Sequence, residues 1–409
     1  NRKRRSCKIC CCGGCNKSIF RSAMEIIAGT YEGILVGYHF EKSEDDNQFV
    51  HSELFNNRKH TGFVRAVACS HKYLVSGGSD ESINIYDLKR QKEIGTLFKH
   101  EGTISCLEFY DSSYLLSGGD DGKIFVWKCK SWTCEKTLLG HEGKVLALAV
   151  HPSGKLALSS GEDKTLRTWN LIKGRKAYIV KLPTCASIIK WNPSGDQYAI
   201  VRNNEVDVYG VESTSIIYSV KLPRSVLCLE FLKDDYIAFG GEDKTVEVHC
   251  ISTKSMVSKL SGHNTRVKGL ASYSGSYVSK DDILLFSTSS DGCIKLWRFR
   301  DNDLATPSIV MPDINTGCRI LSICLHKQEP KPEKKNEAQH VLDPEGTVKN
   351  GLKGDEEETP KNYNEAVKKS AKKADIIERK VSKKLNKRPP SSTETNFVTK
   401  RIKCKNNNT

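Results

Sequence analysis

The sequence repeats itself at an interval of about forty residues. Six times a bulky ring follows a turn rich in Ser, Gly and Asp, and successive rings are 41, 42, 40, 40 and 48 residues apart. The rings are Tyr86, Trp127, Trp169, Tyr209, His249 and Trp297. A seventh, weaker repeat is centred on Tyr38. Because roughly 40 to 45 residues is the period of a four-stranded propeller blade, the sequence predicts an all-β propeller with seven blades.

The second full repeat shows how one blade is encoded. Short apolar and β-branched runs predict strands at 104–110, 114–117, 123–127 and 135–139. Clusters of Gly, Asp and Ser separate these runs, and this pattern is typical of an antiparallel meander.

The two ends of the repeat region each encode an incomplete blade. Residues 319–326 read as a first strand with nothing after it, whereas 25–30, 33–40 and 49–55 read as second, third and fourth strands. Together they predict a seventh blade built from both ends of residues 24–326, which leaves no free sheet edge.

The order Gly-His, Ser-x-x-x-Asp and Trp resembles the WD-repeat (WD40) family, in which the four side chains form a hydrogen-bonded tetrad. A buried indole N–H and a buried carboxylate both need partners, so a complete network is expected. The matching sets are His60, Ser76, Asp80 and Tyr86; His100, Ser117, Asp121 and Trp127; His141, Ser159, Asp163 and Trp169; and His263, Ser287, Asp291 and Trp297.

Two adjacent repeats depart from this pattern. Leu182-Pro183 and Leu222-Pro223 stand where the next histidines would fall, and the two rings are Tyr209 and His249. The strand rhythm continues, so both are predicted to be blades held by apolar packing. The change is either sequence drift, which we favour because neighbouring blades can carry a weaker one, or a face specialised for a partner.

No catalytic, cofactor or metal site is predicted. The tetrad histidines recur once per blade and so cannot converge on one ion. The tetrad carboxylates are tied into turns, which makes them poor acid–base catalysts. Phosphate-binding and nucleophile motifs are missing from the sequence. We therefore expect a non-enzymatic protein without a cofactor.

Residues 1–23 differ from the repeats. They contain Cys7, Cys10, Cys11, Cys12 and Cys15, too closely spaced for the two ligand pairs of a zinc ribbon. The chain begins with Asn, and Met24 immediately precedes the first predicted strand. We interpret residues 1–23 as spurious upstream translation or an expression artefact; a metal-binding or lipidated segment is the alternative. The ten cysteines of the repeats follow no disulfide spacing, which favours a reducing compartment.

Positive charge is concentrated at the ends of the chain. Residues 327–409 carry 21 Lys or Arg against 13 acids, and 1–23 carry seven against none, which leaves 36 of each sign in 24–326. The Lys-rich tail has too few apolar residues for a core and is predicted to be disordered. Its basic clusters read as nuclear-import signals or RNA contacts, the alternative being a solubilising tail. They are Lys383, Lys384, Lys387, Arg388, Lys400, Arg401 and Lys403.

Four sequence strings resemble the p21-activated-kinase-interacting protein family. They lie at 24–33 (MEIIAGTYEG), 151–159 (HPSGKLALS), 163–171 (DKTLRTWNL) and 289–297 (SSDGCIKLW), in the same order and spacing. The resemblance implies a nucleolar scaffold that works with ribosome assembly factors on the pre-60S particle and in pre-rRNA maturation. It also implies, for animal members, negative regulation of p21-activated kinase through its regulatory region.

From the residues and this resemblance together, we expect a monomeric scaffold of the nucleus and nucleolus. Its tail would contact rRNA, and no membrane would be involved, since no run of eighteen apolar residues occurs. Two other classes fit less well. A G-protein β-like or ubiquitin-ligase adaptor propeller would carry a coiled coil or F-box within residues 1–57, and an enzymatic propeller would show converging acids or metal ligands.

We predict that the tail is separable from the propeller. Ending the chain after Lys327 should leave the melting temperature unchanged, because no tail residue completes a blade. Nuclear and nucleolar enrichment of a fluorescent fusion should fall, because the basic clusters are removed. Undiminished nucleolar accumulation would instead place the targeting signal in the propeller.

Overall fold

The computed structural model describes residues 24–42, 49–213, 215–274, 282–300, 303–309, 311 and 313–327. All regular secondary structure in these residues is β-strand, arranged as seven antiparallel sheets. The fold is the predicted seven-bladed propeller. The cysteines of 1–23 and the basic clusters of the tail lie outside the described residues.

The strands follow one another in chain order. The first three are β1 (Met24–Thr30), β2 (Ile34–Lys42) and β3 (Phe49–Arg58). Blade one contains β4 (Val64–Cys69), β5 (Tyr73–Gly78), β6 (Ser82–Asp87) and β7 (Lys92–Phe98). Blade two contains β8 (Ile104–Tyr110), β9 (Tyr114–Gly119), β10 (Ile124–Lys128) and β11 (Thr133–Leu138). Blade three contains β12 (Val145–Val150), β13 (Leu156–Gly161), β14 (Thr165–Asn170) and β15 (Arg175–Lys181).

The remaining blades continue this order. Blade four contains β16 (Ile188–Trp191), β17 (Gln197–Arg202), β18 (Glu205–Gly210) and β19 (Ser215–Lys221). Blade five contains β20 (Val226–Lys233), β21 (Tyr236–Gly241), β22 (Val246–Cys250) and β23 (Ser255–Leu260). Blade six contains β24 (Val267–Ser274), β25 (Asp282–Ser289), β26 (Cys293–Arg300), β27 (Asp303–Ile309) and the short β28 (Ile314–Asn315). The last strand is β29 (Ile320–Lys327).

The closing blade joins the two ends of the described chain. Its strand order is β29-β1-β2-β3, with β29 innermost. The β1–β29 ladder runs antiparallel from Met24 opposite Lys327 to Gly29 opposite Ser322. A buried hydrogen bond of 2.8 Å between His326 Nδ1 and Glu25 Oε2 reinforces it. The predicted closure by both termini is confirmed.

Apolar contacts hold each blade to the next. Seven hydrophobic clusters occur among the described residues, one at each interface between adjacent blades. The cluster between blade six and the closing blade includes Phe40 and Phe286, whose ring centroids lie 5.0 Å apart. The middle strands of a blade are almost wholly buried, as in β5 and β6, whereas outer strands such as β7 are mostly exposed. The core is therefore a ring of interfaces around the axis.

The turns between second and third strands lie beside the turns that open the next blade. Gly122 adopts a φ of 71°, and a Cβ on it would lie 2.7 Å from the Gly143 carbonyl oxygen. Gly33 is equivalent in the closing blade, with φ 79° and the His60 carbonyl oxygen 2.5 Å from such a Cβ. Only glycine fits both the positive φ and the close approach. We call the face that carries these turns the tetrad face.

We predict that cooperative unfolding depends on β29. Deleting residues 318–327 removes the innermost strand of the closing blade and exposes the inner edge of β1. Aggregation or a broadened thermal transition is therefore expected. The matched control deletes only residues 328–409 and should unfold as sharply as the whole chain. Circular dichroism melts and light scattering measure both effects. A soluble 318–327 deletion with an unchanged transition would contradict the role of the closing pair.

Candidate functional site

The four tetrad side chains of blade two form one continuous hydrogen-bond network. The His100 Nδ1 atom lies 3.0 Å from Asp121 Oδ2, and its Nε2 atom lies 2.8 Å from Ser117 Oγ. The Trp127 indole N–H donates to the same Ser117 oxygen at 2.9 Å. Because an ionised carboxylate only accepts, the imidazole carries its proton on Nδ1, and Nε2 accepts from the serine hydroxyl. All donors and acceptors of the network are then satisfied.

Blade three repeats this arrangement. His141 Nδ1 lies 3.0 Å from Asp163, His141 Nε2 lies 2.7 Å from Ser159 Oγ, and the Trp169 N–H donates to Ser159 at 2.7 Å. Burial opposes the ionisation of Asp163, but hydrogen bonds from Thr165 and His141 outweigh it and hold the pKa of this carboxyl below its usual range. Burial lowers the pKa of His141, which agrees with a neutral imidazole.

Blade one brings three of its four predicted residues together. His60 lies 2.9 Å from Asp80 through Nδ1 and 2.8 Å from Ser76 through Nε2. The buried Tyr86 hydroxyl forms no hydrogen bond within the described residues. The Asn84 amide nitrogen instead lies 3.1 Å from His60 Nε2. A tyrosine in the ring position therefore leaves the network, and a neighbouring amide on the same strand joins it.

The tetrad of blade six also lacks one hydrogen bond, but not the one that is missing in blade one. His263 Nε2 lies 2.8 Å from Ser287 Oγ, to which the Trp297 N–H donates at 2.9 Å. The buried His263 Nδ1 atom has no hydrogen-bond partner in the part of the chain that the structure describes, while Asp291 keeps the backbone donor that the intact tetrads also have, here the Cys293 amide at 3.0 Å. Burial, then the nearby Lys295 charge, lowers the pKa of His263 to about 4 in spite of Asp291. The imidazole is thus neutral at physiological pH.

These networks fix the architecture of the tetrad face. Each one ties the loop that opens a blade to the second and third strands, and each carboxylate is occupied by donors from its own blade. Among the described residues there is no cluster of three or more His, Cys, Asp or Glu side chains placed to hold a metal ion. A helix long and apolar enough to cross a membrane does not occur in those residues either.

Blade four contains a buried ion pair beyond the apolar packing that its sequence predicts. Asp207 is only 1% exposed and accepts a hydrogen bond of 3.0 Å from Arg202 Nε. The Ser219 hydroxyl donates to its other oxygen at 2.6 Å. The ring Tyr209 stacks on Tyr198 at a centroid distance of 5.2 Å. Blade four thus has a different polar network, which joins its second, third and fourth strands.

Blade five has a comparable network that crosses to its neighbour. The ring His249 lies 3.2 Å from Glu247 through Nε2, and its Nδ1 atom lies 2.6 Å from the Tyr218 hydroxyl of blade four. Lys259 donates to Glu247 at 2.9 Å. The His249 hydrogen bond, and then Lys259, lower the pKa of Glu247 to about 2 although burial opposes this. The two atypical blades are therefore joined by polar as well as apolar contacts.

A second sequence pattern, besides the repeated rings, predicts these buried polar groups. In a strand, residues two apart share a face, so a side chain two positions before a buried ring points to the same buried side. Asn84, Arg167, Asp207, Glu247 and Lys295 occupy that position. Four of them are at most 7% exposed: Asn84, Arg167, Asp207 and Lys295. A polar residue two positions before the ring therefore predicts a buried hydrogen-bond or ion-pair partner.

The inner strands of all seven blades line a central channel. Three of its charged side chains, Glu108, Lys190 and Glu230, come from blades two, four and five. Lys190 Nζ lies 3.7 Å from Glu230, whose other oxygen accepts from the Ser272 hydroxyl at 3.3 Å. Burial raises the pKa of Glu108, with the Lys190 charge opposing it. The channel lining thus contains two acids, Glu108 and Glu230, and two bases, Lys190 and Lys268.

We predict a specific acid sensitivity from Glu247. Its pKa is depressed from 4.5 to about 2, so its stabilising effect is complete above pH 4.5 and is lost as the pH falls through about 2. Glu247→Gln should lower the free energy of unfolding by about 3 kcal/mol at most at neutral pH, and the difference should shrink over this window. Denaturant titrations from pH 7 to pH 2 measure it.

Glu101→Gln is the matched control for this experiment. Glu101 also pairs with a lysine, Lys123 at 2.8 Å, but its side chain is 78% exposed. Its substitution should change stability little at any pH. A constant difference between the wild type and Glu247→Gln from pH 7 to pH 2 would contradict the assignment.

Comparison with known proteins agrees with this architecture. The family described as WD domain, G-beta repeat matches residues 52–87, 91–128, 132–170 and 254–298. These segments cover the rings of the four blades in which a tetrad was predicted, whereas blades four and five lie largely outside them.

Whole-length relatives extend the comparison beyond the repeats. A p21-activated protein kinase-interacting protein 1-like protein of Danio rerio is 40% identical over 328 residues, covering 78% of this chain and 87% of that protein. The p21-activated protein kinase-interacting protein 1 of Homo sapiens is 38% identical over 391 residues, covering 88% and 98%. Shk1 kinase-binding protein 15 of Schizosaccharomyces pombe is 28% identical over 314 residues, covering 75% and 87%. The chain belongs to the p21-activated protein kinase-interacting protein family of WD-repeat propellers, which serve as interaction scaffolds.

Proposed function

We propose that this protein is a non-catalytic scaffold in the nucleolar assembly of the large (60S) ribosomal subunit and in pre-rRNA maturation. The observation that carries the proposal is the charge layout. Residues 24–326 hold 36 basic and 36 acidic side chains, whereas 327–409 hold 21 basic and 13 acidic ones. A neutral rigid platform with a polycationic extension suits a protein that binds assembly factors while its tail contacts rRNA.

The two parts should respond differently to salt. The Lys and Arg side chains of the tail would bind phosphates, so rRNA binding should weaken steeply as the salt concentration rises and show little sequence preference. Contacts between the propeller and protein partners should weaken less, because the propeller carries no net charge. Such a difference is expected if one protein holds protein and RNA parts of a pre-60S particle together.

A second candidate function is negative regulation of p21-activated kinase. The names of the relatives favour it, because two of these proteins are named as kinase-interacting and one as kinase-binding. A propeller without a catalytic role regulates a kinase by occupying its regulatory region. Both functions need the same rigid platform, so the choice between them depends on cellular measurements.

We predict that depletion of this protein lowers the amount of free 60S subunits and delays maturation of large-subunit rRNA. The physical reason is that a missing scaffold slows assembly without affecting the small subunit. Polysome profiles and pulse-labelled rRNA after depletion measure both effects. Re-expression of the chain with Lys383, Lys384, Lys387 and Arg388 changed to Gln should restore 60S levels less well than the wild type.

Kinase assays in the same depleted cells separate the two candidates. Normal 40S:60S ratios together with raised p21-activated kinase activity would overturn the ribosomal role in favour of kinase regulation. A 60S deficit with unchanged kinase activity would support the ribosomal role alone.

A further inference from the structure

Four basic residues lie along one side of the opening of the central channel on the tetrad face. Arg65 and Lys268 are the second residues of the inner strands β4 and β24, each at a register shift in the ladder to the next strand. Arg266 immediately precedes β24, and Arg319 immediately precedes β29. They come from blade one, blade six and the closing blade, which are neighbours in the ring. We call Arg65, Arg266, Lys268 and Arg319 the mouth cluster.

These cations lack the carboxylate partners that other cations on this face have. Lys123 pairs with Glu101 at 2.8 Å, and Lys144, which precedes β12 as Arg266 precedes β24, pairs with Asp120 at 2.9 Å. No side chain of the mouth cluster forms an ion pair within the described residues, and Arg266 Nε donates only to the Ser290 hydroxyl, at 3.3 Å. The cluster is therefore an unneutralised concentration of positive charge.

Lys268 is the most confined member of the cluster. Burial, and then the positive charges of Arg266, Arg65 and Arg319, lower the pKa of its amine. Like charges held close together raise the energy of the unliganded protein. An anion placed among them would remove this repulsion, so the arrangement favours a negatively charged ligand.

An aromatic surface adjoins the cluster. Tyr31 is 53% exposed and stacks on Phe63, with ring centroids 5.8 Å apart and an interplanar angle of 2°. The Arg319 guanidinium lies 5.3 Å from the centre of the Tyr31 ring. The one carboxylate nearby, Glu32, accepts from the Arg319 backbone amide at 3.2 Å and leaves the guanidinium unpaired within the described residues. Apolar side chains next to an acidic group could pack on this surface.

The surroundings limit what kind of anion fits. Deeper in the described part of the channel, Lys190 is already paired with Glu230 and lies near Glu108, so this region offers no unpaired positive charge to a second anionic group. Elsewhere on the tetrad face, acids such as Glu81 and Glu142 are exposed on the turns of blades one and three. A long polyanion such as RNA that crosses this face would meet these acids, whereas a short acidic segment would contact the mouth cluster alone.

We propose that the mouth cluster is a docking site for an acidic peptide segment of a protein partner, with carboxylates at the channel opening and an apolar residue on Tyr31 and Phe63. The inference goes beyond the scaffold role because it assigns a face and a partner chemistry. It stands on the geometry of the propeller and does not depend on which cellular assembly the protein serves.

The test uses the full chain and an eight-residue Asp/Glu peptide with one central photo-leucine and a fluorescent label. Fluorescence anisotropy measures its affinity for the wild type, for the double variant Arg65→Gln/Arg319→Gln and for Lys268→Met. The variants should bind the peptide about tenfold more weakly, since each loses charge-assisted hydrogen bonds. The control double variant Lys123→Gln/Lys128→Gln removes two cations that are paired with Glu101 and Glu135, and it should bind like the wild type.

Crosslinking distinguishes the mouth from the basic tail. After irradiation, mass spectrometry should find the peptide attached near Tyr31, Phe63 or Arg319. Thermal melts verify that the variants are folded, and an eight-nucleotide RNA measured in parallel should bind wild type and mouth variants equally. Crosslinks found only within residues 328–409, equal peptide affinity of mouth and control variants, or loss of RNA binding in place of peptide binding would each overturn the proposal.

Discussion

The pairing of β1 with β29 is the constraint on which the rest of the propeller depends. Each blade presents its apolar faces to two neighbours, and the described residues contain one cluster for each of the seven interfaces. A ring of such interfaces is complete only if the first and last blades meet. The main-chain ladder from Met24 to Gly29 against β29 supplies that contact and also removes an open sheet edge.

Within the blades, the polar networks supply hydrogen-bond partners to buried polar groups, since leaving such a group without a partner is costly. Blades two and three satisfy every member of the tetrad, so hydrogen bonds offset the cost of burying these polar groups. In blade one Asn84 joins the network beside Tyr86, whereas in blade six the His263 Nδ1 atom has no partner within the described residues. Blades four and five go further and bury Asp207 and Glu247 with new partners. The propeller tolerates these exchanges because neighbouring blades stabilise each one.

The same architecture leaves its charges unevenly placed on one face. Other cations of the tetrad face, such as Lys123 and Lys144, are neutralised by nearby carboxylates, whereas those of the mouth cluster form no ion pair within the described residues. A rigid platform with a neutral total charge can thus still hold a localised positive site. Such a site recognises a partner by position and local charge, which is how a scaffold without catalytic chemistry achieves specificity.

The sequence by itself determined the number of blades, the strand order within them and the closure by both ends. These follow from local rules, because strand alternation, turn residues and a forty-residue period are all written along the chain. The same rules identified the tetrad residues. Only the tertiary structure decided which of their hydrogen bonds form: His263 is the residue type that the tetrad requires, yet its Nδ1 atom has no partner within the described residues.

The tertiary structure also decided the contacts between residues far apart in sequence. Tyr218 reaches His249 across a blade interface, and Arg65 and Lys268 approach each other although about two hundred residues separate them. A periodic pattern specifies each blade alone. The approach of side chains from different blades depends on the angle and spacing at which the blades pack, and those are properties of the closed ring.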